Sequence, residues 1–285
     1  HADALARAAD SAAGTAGRGA EMKRLSEYRN SWRMKLLALG CLGALGALGA
    51  ACSPSQPPAP PSPVPQLDEI VASHLAARGG AEKLRALRSI RETGKVTASD
   101  GRVALVTREI QRPGLFRLEF TYQGTTSVFA HDGTTRWQVA PLQGQFEPMA
   151  MPPEADGEVG VDQRDIEGPL VDWQKKGHLV TLAGREAIDG RETIKLELQL
   201  KGGTTRYDYV DVVSHQVVRS DVPRLVRGHV TVLQNHFSDF REVGGIVFPH
   251  AIETHVKDRP QVLRIAVEKI ELDPVLDETR FRMPQ

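Results

Sequence analysis

From Ser89 onward apolar residues recur with a period of two, and no other feature narrows the possible folds as far. Phe116, Leu118, Phe120 and Tyr122 alternate with Leu115, Arg117, Glu119 and Thr121, and Ile194, Leu196, Leu198 and Leu200 alternate with Lys195, Glu197 and Gln199. Alternation of this kind marks strands with one face in a core and one in water. Turn signals separate the runs at Asp100-Gly101, Gln123-Gly124, Asp132-Gly133, Asp189-Gly190, Gly202-Gly203, Val213-Ser214, Gly244-Gly245 and Asp258-Arg259-Pro260. Short strands joined by tight turns make an antiparallel meander. About 11–12 strands are predicted, more than a strongly twisted open sheet carries without curling or closing. The expected fold is therefore mainly β, in the α+β class: a curled antiparallel sheet, an unclosed barrel, with a concave face.

Helices are expected to cover that face. Leu67, Ile70, Val71, Leu75, Leu84 and Leu87 follow helical spacing with a break at Gly79-Gly80, which predicts two short helices with one apolar stripe. That stripe finds its cheapest burial in the concavity. Pro141 to Lys176 breaks the period-two pattern, with only Asp165 to Gln174 suited to a short mid-chain helix. So long a connection reads as a lid or binding segment, with a plain insertion between two halves of the sheet as the alternative. Met149 and Met151 within it suit contact with varied apolar shapes.

The N-terminal third carries an address. Met34 to Ser53 (MKLLALGCLGALGALGAACS) has a basic start, an uncharged run and small residues before Cys52, the pattern of a secretory signal. Its 16 uncharged residues, Leu36 to Ala51, fall short of the roughly 20 apolar residues of a bilayer span. Residues 1–33 read as an upstream extension absent from the mature protein, and 34–51 as the signal peptide. Residues 52–66 follow, with seven prolines from Pro54 to Pro65 that hold an extended, semi-rigid tether. Residues 67–285 then form one domain, long enough to need no disulfide. Both cysteines, Cys41 and Cys52, fall in the leader or at its cut.

Several function classes are disfavoured. The 36 basic and 36 acidic residues cancel, so no global field recruits nucleic acid. The sequence has no nucleophile elbow, phosphate loop, dinucleotide fingerprint or zinc-protease helix, so no catalytic residues, cofactor or metal site are assigned. His250 and His255 are five apart in a strand and so face opposite ways. A concave apolar sheet with a lid instead suits shelter of an apolar ligand, each methylene removed from water contributing about 0.8 kcal/mol.

Two resemblances sharpen this reading. Leu48-Gly49-Ala50-Ala51-Cys52 resembles the lipobox of bacterial lipoproteins, which implies lipidation at Cys52; Ser53 after it implies export to the outer membrane. From about Leu67 to Gln285 the chain resembles outer-membrane lipoprotein-sorting proteins with the LolA/LolB-type fold. The resemblance rests on ARGGAEKLRALRSIRETGKV (77–96), EGPLVDWQKKGH (167–178), FSDFREVGGIVFP (237–249) and RFRMP (280–284). Gln111 to Phe116 and Asp132 to Trp137 further resemble the Arg-Pro-x-Leu-Phe and Asp-Gly-x-x-x-Trp pattern of the LolA carriers.

The resemblance implies that Arg112 latches the lid and that Phe116 sits at the cavity mouth; on the residues alone Arg112 could equally be an exposed strand end and Phe116 plain core. Together the readings nominate Arg112, Phe116, Leu118, Phe120, Trp137, Met149 and Met151 as ligand-binding residues. Expected partners are acyl chains of lipoproteins or lipids, the outer membrane through the anchor, and an envelope protein; the chain is expected to be a monomer. The LolA carriers are soluble, whereas this chain has the lipidation signal of a LolB-type receptor. A non-catalytic accessory lipoprotein is the alternative function, and a hydrolase a more remote one.

Overall fold

The computed structural model describes residues 66–151, 164–226 and 229–284. The leader, Cys52 and most of the tether lie outside them. Thirteen strands form one antiparallel sheet: β1 (Ser89–Ala98), β2 (Val103–Gln111), β3 (Leu115–Tyr122), β4 (Thr125–Asp132), β5 (Arg136–Ala140), β6 (Gln145–Ala150), β7 (Leu179–Ile188), β8 (Arg191–Gln199), β9 (Thr205–Asp211), β10 (Val217–Val226), β11 (His229–Val243), β12 (Ile246–Val256) and β13 (Val262–Leu272). All eight predicted turns fall between strands. The sheet exceeds the expected count because β6 lies inside the stretch read as irregular. Its Pro148 is tolerated because β6 is an edge strand.

Strand order explains the architecture. The order β6-β5-β4-β3-β2-β1-β13-β12-β11-β10-β9-β8-β7 places the first and last strands side by side in the middle and β6 and β7 at opposite edges. The sheet stays open, and the connection from β6 to β7 joins its two edges. The described part of that passage, residues 164–178, packs on the same face as the helices: Ile166 and Val171 join one core cluster and Leu170 the other.

Two helices occupy the inner face, as the Gly79-Gly80 break predicts: α1 (Leu67–Ala77) and α2 (Ala81–Ala86). Glu69 accepts a hydrogen bond from the Gln66 backbone N–H at 3.1 Å and so caps α1, which buries Ile70, Val71 and His74. The end of α1 is tied to hairpin turns. His74 Nδ1 donates to the His215 carbonyl at 2.8 Å, Gln216 Nε2 to the Ala77 carbonyl at 2.9 Å, and the Val247 N–H to the Arg78 carbonyl at 3.0 Å. Gly79, at φ 104°, lies so close to the β11–β12 turn that a Cβ there would sit 2.0 Å from the Gly245 oxygen. The expected mid-chain helix is absent: 164–178 is a run of turns. Gly168 at φ 87°, Pro169 and Asp172 at φ 50° interrupt any regular helix.

One core cluster joins α2 and its flank (Leu84, Leu87) to β1–β4 and β11–β13 through Ile90, Ile110, Phe116, Leu118, Phe129 and Phe248. The other joins α1 to β7–β9 through Val180, Ile194, Leu196, Leu198 and Val210. The clusters lie under different helices, and the crossing segment contributes to both.

Candidate functional site

The crossing segment is fastened over the inner face by its buried apolar residues Ile166, Leu170 and Val171 and by a set of polar contacts. Arg85 of α2 holds the Asp172 carboxylate through Nε at 2.7 Å and a terminal nitrogen at 3.0 Å. Arg112, at the end of β2, donates through Nε to the Leu87 carbonyl at 2.7 Å and through a terminal nitrogen to the Glu167 carboxylate. Lys176 reaches Asp165 at 2.6 Å, Glu167 at 3.0 Å and the Gly168 carbonyl at 2.8 Å. Arg78 donates to the Glu167 carbonyl at 2.8 Å. Glu167 is thus a hub where α1, β2 and the cover meet. Burial works to raise its pKa, but hydrogen bonds from Arg112 and Lys176 outweigh this and hold the carboxyl below the usual range.

Beneath this cover lies a hollow of about 270 Å³ between β1, β2 and β9–β13. Its walls are partly apolar, from Ile90, Ile166, Leu233, Phe248, Ile252 and Ile265, and partly charged, from Arg78, Arg108, Arg206, Arg224, Glu92 and Asp165. A second hollow of about 200 Å³ lies beside α1 and shares Arg78, Arg206, Ser220, Phe237 and Pro249 with the first. Ligand pockets commonly hold about 300–1,000 Å³, so each hollow is small by that measure.

The nominated residues divide. Arg112 touches both the helical layer and the cover. Phe116, Leu118 and Phe120 face inward but are 1–3 % exposed and belong to the core, where Phe120 packs edge-on to Phe129 with centroids 6.3 Å apart. They fill the β2–β4 part of the concavity instead of lining either hollow. Phe116 and Met151 border a remnant of about 10 Å³, at the lower limit for a single water. Met149 is 42 % exposed on edge strand β6.

Trp137 requires a correction. It pairs with Ala130, which pairs with Arg117, and these three point to the outer face. There Trp137 is buried beneath the C-terminal turn Glu278–Phe281, donating from Nε1 to the Phe281 carbonyl at 2.7 Å. It is a staple for the chain end, not a cavity contact.

The charged lining was missed. Glu92 and Arg108 stand in phase with Ile90, Val96, Val106 and Ile110, and they pair across β1 and β2 at 2.7 Å. A charge at an inward position of an alternating strand was the available signal. Of the late histidines, His250 is buried, whereas His255 lies on the outer face with its ring 5.2 Å from that of His236. Among the described residues no group of three or more His, Cys, Asp or Glu could hold a metal ion, and no helix is long and apolar enough to cross a membrane.

An open thirteen-stranded antiparallel sheet beneath two helices defines the structural class: the chain shares the fold of a solved outer membrane lipoprotein-sorting domain. Solved structures show the likeness individually. A domain described as outer membrane lipoprotein-sorting, from Vibrio parahaemolyticus, matches with a TM-score of 0.50 at 12% identity over 75% of this chain and 94% of its own. A DUF1329-family protein from Desulfovibrio piger matches with a TM-score of 0.51 at 12% identity over 74% of this chain and 97% of its own. No family model matches the sequence, and no curated protein matches it.

Proposed function

We propose that this chain is a bacterial envelope lipoprotein, anchored through Cys52 to the outer membrane, that shelters acyl chains of lipoproteins or lipids under the 164–178 cover and passes them on without chemistry. The observation that carries this reading is the cover itself, residues 164–178, which lies above a hollow and is held by ion pairs at its margin. Such fastening is reversible. The Arg85 and Arg112 side chains are 45% and 41% exposed, so solvent screens both clasps, less so where Glu167 is buried. Lifting the cover also exposes Ile166, Leu170 and Val171, and an acyl chain, at roughly 0.8 kcal/mol per buried methylene, offsets that loss together with the clasps when about ten or more methylenes enter. An entering chain therefore supplies the free energy that lifts the cover. Arg112 acts as latch; Phe116, Leu118 and Phe120 form the apolar wall that an incoming chain displaces, and Met149 and Met151 flank the mouth.

The test is uptake of an uncharged acyl probe, a pyrene-labelled diacylglycerol, by purified protein stripped of lipid. Saturable binding with a blue-shifted, shielded pyrene spectrum supports the reading; no uptake at any concentration below probe aggregation refutes it. The accessory-subunit reading draws on the exposed edge strand β6, where Phe146 is 71 % exposed. Stoichiometric cross-linking of one envelope protein through β6, with no probe uptake, would favour it.

A further inference from the structure

The hollow has more cationic character than a store for hydrocarbon requires. Four arginines and two carboxylates line it, and both carboxylates are already matched: Glu92 to Arg108 at 2.7 Å and Asp165 to Lys176 at 2.6 Å. Arg206 is matched to Asp208 at 2.6 Å. Arg78 differs. Among the described residues its side chain has one hydrogen-bond acceptor, the neutral Glu167 carbonyl, while Asp165 acts on it only through space. Burial disfavours its charge more than Asp165 restores it. A guanidinium has five N–H donors in a planar fork suited to carboxylate or phosphate.

The position of Arg78 is as telling as its partners. It lines both hollows, so a group bound to it would lie where they adjoin, with the apolar walls of the main hollow beyond. The cover presses close there: a Cβ on Gly168, at φ 87°, would sit 3.0 Å from an Arg78 terminal nitrogen.

We propose that the hollow binds an acidic single-chain amphiphile, with its carboxylate or phosphate on Arg78 and its acyl chain along Ile90, Leu233, Phe248 and Ile265. This rests on the acyl-chain reading above and narrows it to a charged head group placed inside. One charge-assisted pair in such a setting corresponds to a preference of about tenfold or more.

The experiment compares 11-(dansylamino)undecanoic acid with its methyl ester at pH 7.5 in 50 mM salt, using the full purified protein. The acid is expected to bind about tenfold or more tighter than the ester. Arg78→Gln should abolish the preference of acid over ester, and Arg78→Lys should restore part of it. Dodecyl phosphate should displace the acid, and inorganic phosphate at equal concentration should not. Equal affinities for acid and ester in the unaltered protein would overturn the proposal while leaving the acyl-chain reading intact. An equal loss of both on Arg78→Gln would overturn the role of Arg78. Displacement by inorganic phosphate as strong as by dodecyl phosphate would make the site one for free anions. Binding of neither dansyl probe nor of the pyrene diacylglycerol would remove both readings together.

Discussion

Replacing Glu167 with glutamine isolates the fastening of the cover. The substitution keeps volume and removes the charge that Arg112 and Lys176 share. Breaking a fully buried pair costs about 3–5 kcal/mol, and an exposed one less than about 1. The Glu167 side chain is 8% exposed and its Arg112 partner 41%, which places the loss between those limits, near 2 kcal/mol. That corresponds to about a thirtyfold rise in the open fraction of the cover. Amide hydrogen exchange reads it directly, because the N–H groups of Lys176, Gly177 and His178 bond within the cover to the carbonyls of Asp172, Gln174 and Trp173 at 2.9–3.0 Å. Their exchange should accelerate about thirtyfold while amides of β8 and β9 hold their rates. Lys175→Ala, which removes only a pair whose lysine is 81% exposed, should change exchange by less than about twofold. Protonation should act as the glutamine does. The carboxyl is held below 4.5, so its contribution is full above that pH and is lost as pH falls through the lowered value. Equal acceleration in β8 and β9 would mean that Glu167 supports the whole domain, and no acceleration anywhere would remove it from the fastening.

Three further outcomes follow from the packing. His74 is buried, and burial first, then the nearby Arg78 charge, lowers its pKa from 6.5 to about 4. The unfolded chain therefore takes up a proton between those values that the folded chain refuses. Stability should fall by about 3 kcal/mol as pH drops from 6.5 to 4, and His74→Gln should remove that share of the slope in urea titrations. Trp137→Phe should lower stability by about 1–2 kcal/mol through the lost bond to Phe281, with acyl-probe affinity unchanged; a matching loss of affinity would return Trp137 to the cavity. Gly79→Ala should cost about 2 kcal/mol or more in thermal or urea unfolding, because the new Cβ meets the Gly245 oxygen and the backbone is at φ 104°.

Much of the fold was legible because side-chain period and turn chemistry are local. Phe116, Leu118, Phe120, Ile194, Leu196 and Leu198 are buried as their alternation requires, and the two helices break at Gly79-Gly80. Which face a strand turns inward is legible only where its neighbours agree. Trp137 sits in a five-residue strand, Arg136–Ala140, of which four residues are buried, so its phase could not be read, and it was nominated through the resemblance of Asp132 to Trp137 to the LolA pattern. Arg112 was found through its resemblance to the LolA pattern, whereas its partner Glu167 lies 55 residues away in a segment of turns that carries no period. The charged lining is assembled by pairing across strands, such as Glu92 with Arg108, and pairing register is not a local property. The passage over the hollow follows from strand order, because nothing short of the full order places β6 and β7 at opposite edges.

Movement of the cover on ligand entry is the point on which the account turns, and spin-label distances between residue 175 in the cover and residue 269 on β13 measure it. Both side chains are exposed, at 81% and 65%. In a chain with no other free thiol, the lipid-free protein should give one narrow distance distribution, and saturation with the pyrene diacylglycerol should add a second, longer population. A single unchanged distribution at full probe occupancy would contradict the account, because the chain would then enter without the cover giving way.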